Sequence, residues 1–305
     1  MNKIRVCVSA LWFPFTMAHF FWRAFERRDD IELFVLGPFT DDYIPWNYGI
    51  RLPREYVKIP DYALPASAAQ TRVPAEFVQP KLPWKPDLWL QVDAGWHLQT
   101  KPDAGIVGLI ETDPHVLKGL YQLPKSYSDI TWCMQTPYME EGDIFLPYGY
   151  DPEIHFPEEK EKIYDACLIG LHYETRDKLV ARLRSRGLNV YYSIGEIYSD
   201  YRHKYCESKI ALSWSSLLDT PARVFESMAM GLPLVANRTP DLMHMFQDGV
   251  HYLGFDTLDE AEKQVMRLLV DDDLRERISQ NGFDGVQGNS WDNRVDQILR
   301  DSKLI

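Results

Sequence analysis

Cysteine is scarce in this 305-residue chain: Cys7, Cys133, Cys167 and Cys206 are scattered, and none forms a close pair. That spacing indicates neither a zinc knuckle nor a disulfide framework. Three of the four lie in or beside apolar runs, where a thiol behaves as a small buried hydrophobe, so a reducing, cytoplasmic location is the expectation. Long apolar runs are missing too. No window approaches the roughly 18 uninterrupted apolar residues of a membrane-spanning helix. Met1-Asn2-Lys3-Ile4-Arg5-Val6 enters a strand without the apolar run and small-residue cleavage site of a leader. Positive charge is in deficit: 33 Lys and Arg against 45 Asp and Glu give a formal charge of −12, which gives no support to a broad nucleic-acid-binding surface. Spaced glycines are absent from the turn after the first strand, Ser9-Ala10-Leu11-Trp12-Phe13-Pro14-Phe15, so a dinucleotide fingerprint is not formed there. No Walker loop, His-Glu-x-x-His run or nucleophile elbow appears either. Nicotinamide, zinc-hydrolase and serine-hydrolase chemistries are therefore not indicated.

What is present is an α/β pattern. A hydrophobic content of 45% with 26% charged residues is ordinary globular material, and the length suits two domains of about 150 residues. Ile4 to Val8 reads as a buried strand, Met17 to Arg27 as a helix and Ile31 to Leu36 as the next strand, a unit expected for a parallel sheet. Prolines at 45, 53, 60, 65, 74, 80, 83 and 86 stop any long helix in the next stretch. Three apolar runs then end in polar clusters: Asp87 to Val92 delivers Asp93, Ala104 to Ile110 leads to Glu111-Thr112-Asp113, and Ile130 to Met134 leads to Gln135-Thr136. Ligands of open α/β sheets bind beyond the carboxyl ends of strands. Thr112 or Asp113 is placed to cap a short helix begun by Pro114. Residues 151–162, with two prolines and the run Glu158-Glu159-Lys160-Glu161-Lys162, read as a linker. A second α/β domain follows. Its first strand ends in Gly170, and its helix from Glu174 to Arg186 stops at Gly187.

Two stretches of this second half carry chemistry. In Gly170-Leu171-His172-Tyr173-Glu174-Thr175-Arg176, a glycine after a strand allows close approach, and free amides at the next helix start attract phosphate. His172 and Arg176 are possible charge partners. In Asp219-Thr220-Pro221-Ala222-Arg223-Val224-Phe225-Glu226, Thr220 is a good N-cap and Pro221 a natural first helical residue. Glu226 sits among Phe225, Met228 and Ala229, and a carboxylate there needs a partner. The candidates are Arg223, three residues earlier, and the vicinal diol of a sugar or ribose. Arg202, His203, Lys204 and Lys209 are further basic groups, any of which is able to neutralise a diphosphate.

The run from Thr220 to Ala236 resembles the donor-binding signature of the retaining group 1 glycosyltransferases. Their GT-B fold sets two Rossmann-like parallel-sheet domains facing across a cleft. The similarity continues through Asp248-Gly249 and the helices Leu258 to Leu269 and Asp273 to Asn281. The segment from Cys167 to Gly187 also resembles the start of the donor domain in the CgeB-like subgroup. The resemblance implies that Glu226 binds the ribose of a nucleoside diphosphate sugar, UDP- or GDP-linked. The first glutamate of the family's pair is replaced here by Leu218, with Asp219 beside it. An arginine three residues before the retained glutamate, as in the subgroup, matches Arg223. Arg176, Arg202 and Lys209 are candidates for the diphosphate.

The expectation is thus a cytoplasmic, metal-independent, retaining glycosyltransferase. An acceptor domain would cover 1–150, a donor domain 151–285 and a returning helix 286–305. Gly170, Leu171, His172, Tyr173, Arg202, Asp219, Thr220, Arg223 and Glu226 would hold the donor, with Arg176, Lys209 and Asp93 catalytic. Trp12, Phe13, His19, Trp96, His97 and Asp113 would meet an unidentified acceptor: a small molecule, a glycan or a nucleic acid. A nucleotide-sugar hydrolase or epimerase and a non-catalytic nucleotide-sugar-binding or scaffolding protein remain as alternatives.

Overall fold

Alternation of buried apolar runs with amphipathic helices gives parallel strands throughout. A computed structural model describes residues 3–13, 16–42, 54, 57–215 and 217–305; the expectations at Pro14, Phe15, Pro45 and Pro53 fall outside these. The chain divides into two units, Met1–Pro147 with Trp291–Ile305, and Tyr148–Ser290.

The first unit begins with β1 (Ile4–Ser9), α1 (Met17–Glu26) and β2 (Ile31–Pro38). The proline-rich stretch holds only short elements, β3 (Tyr62–Leu64) and α2 (Ala75–Val78). Then come β4 (Leu88–Val92), β5 (Ile106–Glu111), α3 (Pro114–Lys125), β6 (Ile130–Cys133) and β7 (Ile144–Phe145). The sheet order is β3-β2-β1-β4-β5-β6-β7, with parallel pairing throughout. The order reverses between β1 and β4, and all carboxyl ends share one edge, where ligands of such sheets bind. The last helix, Trp291–Asp301, lies on α1. Trp291 is fully buried, stacked on Phe20 with ring centroids 5.5 Å apart and edge-on to Phe21 at 5.2 Å. Arg27 pairs with Asp292 at 2.8 Å, Arg28 pairs with Asp296, and the Trp132 indole donates to Asp301 at 2.8 Å.

The second unit runs β8 (Ala166–Ile169), α4 (Glu174–Ser185), β9 (Val190–Ser193), α5 (Tyr198–Cys206), β10 (Ala211–Ser213), α6 (Ala222–Ala229), β11 (Leu234–Asn237), α7 (Pro240–Met245), β12 (Leu253–Phe255), α8 (Leu258–Val270) and α9 (Asp272–Val286). The sheet order is β12-β11-β10-β8-β9, again parallel. One face packs Leu168, Leu179, Leu183, Val265, Leu268 and Ile278 into a single buried cluster. The helix stops are chemical. After α6, Gly231 has φ +72°, its amide reaches the Met228 carbonyl at 2.9 Å, and the Leu232 amide reaches that of Ser227 at 3.1 Å. These two bonds are a Schellman closure, which requires the left-handed residue. Thr257 caps α8 and Asp271 caps α9, each by accepting the amide of the third helical residue, Glu260 and Leu274.

Candidate functional site

The carboxyl edge of the second sheet gathers two arginines over one glycine. Gly170 follows β8 with φ +148°, a conformation that L side chains rarely adopt. A Cβ there would overlap Arg223 Nη2 and lie 3.5 Å from Arg176 Nη1. The missing side chain is therefore what lets the Arg223 guanidinium reach the strand end, beside that of Arg176. Arg176, on the first turn of α4, is 5% exposed. It donates to the carbonyls of Trp214 at 2.7 Å and Leu171 at 2.8 Å, and lies 4.7 Å over the Tyr173 ring. Arg223, on the first turn of α6, donates to the Ile169 carbonyl at 2.7 Å. Among the described residues, neither guanidinium has a carboxylate within ion-pair distance. Burial, and then the charge of Arg223, pull Arg176 down from 12.5 to about 10. Burial also pulls Arg223 down, but Tyr205, Tyr201 and Glu226 outweigh it, and Arg223 stands above its ordinary value. Two cations held together by neutral carbonyls, at the start of a helix whose first amides have no intrahelical acceptor, are a donor set of the kind that suits an anion.

One turn further along α6, Glu226 is 8% exposed. The ion pair with Arg223 anticipated from spacing is not formed, because Arg223 turns to the Ile169 carbonyl instead. Glu226 Oε2 accepts the Tyr201 hydroxyl at 2.7 Å, and Oε1 lies 3.8 Å from His155 Nε2. Burial, and next the Glu226 charge, push Tyr201 well above its ordinary value, so it stays a protonated donor. Neither Tyr201 nor His155 was legible: they stand 25 and 71 positions from Glu226, and no periodic pattern links them. The Thr220 cap is a second correction. Pro221 occupies the N-cap position of α6 without a side-chain bond, while the Thr220 hydroxyl meets that of Thr239 at 2.6 Å. A Pro–Ala start one residue later leaves Thr220 pointing into the fold, where it is 3% exposed. Asp219 accepts the Ser215 hydroxyl, and Leu218 is exposed.

Other expected donor residues divide. Leu171 offers its carbonyl to Arg176, and Tyr173 lies under that guanidinium. His172 stacks on Tyr192 at 4.1 Å, with Asp177 3.4 Å from its Nδ1. Arg202 does not join the arginine pair. It is held by Glu158 at 3.2 Å and the Ile154 carbonyl at 2.9 Å, over the Phe156 ring. Lys209 is excluded by topology. It precedes β10 and bonds Asp165, which precedes β8, at 2.9 Å, so it lies at the amino ends of the strands, opposite Gly170.

In the first unit, Asp93 ends β4 in the left-handed region with φ +69°. It accepts the Ala94 amide at 2.5 Å and the Thr112 hydroxyl at 2.8 Å, so the polar ends of β4 and β5 meet. The Tyr121 hydroxyl stands within 3.5 Å of the same oxygen and takes the Asp113 amide at 3.3 Å. Asp113 occupies the N-cap position of α3, with no side-chain cap bond there. The aromatic acceptor contacts are corrected to core. Trp12 and Phe13 are buried, Trp12 with its indole on the Leu36 carbonyl at 2.8 Å. Trp96 is buried with its indole on the Thr71 carbonyl at 3.1 Å. His19 and His97 are also buried, and burial above all lowers each to about 3. Indole and phenyl groups after a strand end can point either way, and here the apolar surface went inward. Glu111, Cys133 and Asp143 lie close enough together to hold a cation, but the Lys125 ammonium is already 3.4 Å from Glu111 and 2.8 Å from Asp143.

Residues 158–300 match the family described as "Glycosyl transferase-like". Across the whole chain, an alpha-glucosyltransferase in complex with UDP-glucose and DNA containing an abasic site aligns over 99% of this chain and 100% of its own, with a TM-score of 0.66 and 12% identity. The fold is GT-B. Anabaena HepE in complex with UDP-glucose shares it at a TM-score of 0.64 and 10% identity, covering 99% of this chain and 100% of its own. So does a UDP-N-acetylglucosamine 2-epimerase, at a TM-score of 0.57 and 14% identity, covering 100% and 98%. Proteins described as a transferase and as an epimerase thus share one GT-B frame, and the fold alone does not fix the reaction.

Proposed function

We propose that this GT-B chain is a glycosyltransferase that takes a nucleoside diphosphate sugar in its second unit. The observation that carries the reading is the Arg176–Arg223 pair over Gly170, one helical turn from the Glu226 carboxylate. A diphosphate would lie on the two guanidinium groups and the first amides of α4, with the ribose diol on Glu226. UDP-glucose is the donor to test first, because two of the neighbouring structures above are complexes with it.

The chemistry follows from the charges. The bond between the anomeric carbon and the phosphate oxygen breaks, and its electron pair stays on the nucleoside diphosphate. Fixed cations beside that oxygen stabilise the leaving charge without reorganising. An acceptor hydroxyl supplies the new bond to the anomeric carbon, and its proton passes to the departing phosphate. This same-face course gives retention and needs no covalent protein nucleophile. Arg176 and Arg223 supply positive charge that a divalent ion provides elsewhere, so transfer is proposed to proceed without metal. The acceptor would be taken by the first unit, where Asp93, Thr112 and Asp113 meet at one sheet edge. The deficit of positive charge favours a small molecule or glycan over a nucleic acid there.

The test is product analysis with UDP-glucose, with and without an acceptor panel, in the presence and absence of EDTA. Acceptor-dependent release of UDP with a new glycoside is expected. Release of UDP or a rearranged sugar at equal rates without any acceptor would replace this reading with hydrolysis or epimerisation.

A further inference from the structure

A pocket of about 330 Å³ lies within the first unit, beside α3. Ligand pockets of this size are ordinarily lined by apolar side chains with a few polar groups. Here the proportions are reversed. Six of the eight lining side chains are polar or charged, and Pro114 and Tyr138 supply the apolar rings. The lining charges balance, Lys118 and Lys125 against Glu111 and Glu140. Lys118 pairs with Glu140 at 2.7 Å, and Lys125 stands 3.1 Å from Glu140 and 2.8 Å from Asp143. Glu111 is served less well. It ends β5, is 4% exposed, and has its one ion pair among the described residues with Lys125 at 3.4 Å, long for a hydrogen bond. Burial outweighs the Lys125 charge and holds the Glu111 carboxyl above its ordinary range. A buried carboxylate that borders a pocket and lacks a close donor is completed by a ligand that brings one.

The balance of charge selects that ligand. An anion would meet two carboxylates, and a cation would meet two ammonium groups. An apolar molecule would cover the polar lining without replacing its water. A neutral ligand with hydroxyls on several sides satisfies both signs: one hydroxyl donates to Glu111, and others accept from the ammonium groups and the Gln122 amide. Its C–H faces lie against Pro114 and Tyr138. A volume near the lower bound for ligand pockets holds one ring rather than a chain. We propose that this pocket binds a single neutral sugar ring through Glu111, and that the ring belongs to the acceptor. Its role as acceptor rests on the transferase reading above, which gives Thr112 and Asp113, the next residues after Glu111, to the same substrate.

The test is binding of the methyl glycosides of glucose, galactose, mannose and xylose, followed by NMR titration and calorimetry, to wild type, Glu111→Gln, Lys118→Met and Gln122→Leu, with UDP and GDP titrated in parallel. At least one glycoside should saturate wild type in roughly the millimolar range. Glu111→Gln should weaken it about tenfold or more, and Lys118→Met and Gln122→Leu about two- to tenfold, with nucleotide affinity unchanged. In transfer assays the same variants should raise the KM for that sugar and leave the donor KM as it is. Lys118 and Gln122 are exposed on α3, so their variants decide the matter if Glu111→Gln fails to fold. Saturation by none of the glycosides, or equal binding by wild type and all variants, would overturn the proposal. Glycoside binding that depends on these residues in a protein that takes neither UDP nor GDP would support the sugar site and overturn the donor reading instead.

Discussion

Substitution of Gly170 by alanine tests the arginine pair at its foundation. The backbone there has φ +148°, and a non-glycine residue in such a region is strained by about 1–3 kcal/mol. For a unit of this size that strain lowers the melting temperature by roughly 3–10 °C. The new Cβ also overlaps Arg223 Nη2 and stands 3.3 Å from its Cζ. The guanidinium is the flexible partner, so it moves and loosens its bond to the Ile169 carbonyl. Hydrogen bonds of charged groups contribute about 1.5–3 kcal/mol, so UDP should bind roughly 10- to 100-fold more weakly. Arg223→Met removes the same cation directly and should weaken UDP comparably. Because both act on one group, Gly170→Ala/Arg223→Met should bind little worse than Arg223→Met alone. Thermal denaturation and calorimetry of the four proteins measure both terms. A Gly170→Ala protein equal to wild type in both, or losses that add in full in the double variant, would show that Gly170 does not act through Arg223.

Three further outcomes are expected. Tyr201→Phe removes the hydroxyl that holds Glu226 and should weaken UDP about three- to thirtyfold with the fold intact, measured by calorimetry beside a circular-dichroism melt. Lys209→Met should leave UDP affinity within about twofold, since the ammonium serves Asp165 at the far edge; the partly exposed pair contributes at most about 1 kcal/mol to stability. His97 is buried, neither ring nitrogen has a hydrogen-bond partner among the described residues, and burial lowers it from 6.5 to about 3. Its neutral form is favoured in the folded state, so its stabilising effect is full above pH 6.5 and falls as pH drops toward 3. Between pH 7 and 4.5, His97→Leu should therefore lose about 2–3 kcal/mol less stability than wild type, read from urea denaturation at each pH.

Much of the architecture was legible because periodicity and stop signals agreed. Gly187 and Gly231 close α4 and α6 where a glycine was expected, and β4, β5 and β6 deliver their polar ends to one edge as parallel runs must. The pairing of two arginines over one glycine was half legible. Gly170, Arg176 and Arg223 stood out as separate signals, but their convergence depends on how β8, α4 and α6 pack. The misplaced residues share a cause. Lys209 precedes a strand rather than following it, and sequence proximity to a strand does not say which edge is functional until the direction is used. Trp12, Phe13 and Trp96 read as acceptor contacts by their place after strand ends, yet each side chain is buried and the two indoles donate to backbone carbonyls in the core. Arg202 and Thr220 found partners in the linker and in β11's following turn, contacts of long sequence separation that local pattern does not encode.

The most direct measurement is calorimetric titration of UDP-glucose and a panel of other nucleoside diphosphate sugars into wild-type protein and Glu226→Ala. Saturable binding of at least one of them by wild type is expected, with its loss, or a reduction of roughly a hundredfold, in the variant. Binding of none, or equal binding by both proteins, would contradict the assignment of Glu226 and leave the GT-B fold without the donor site argued for it.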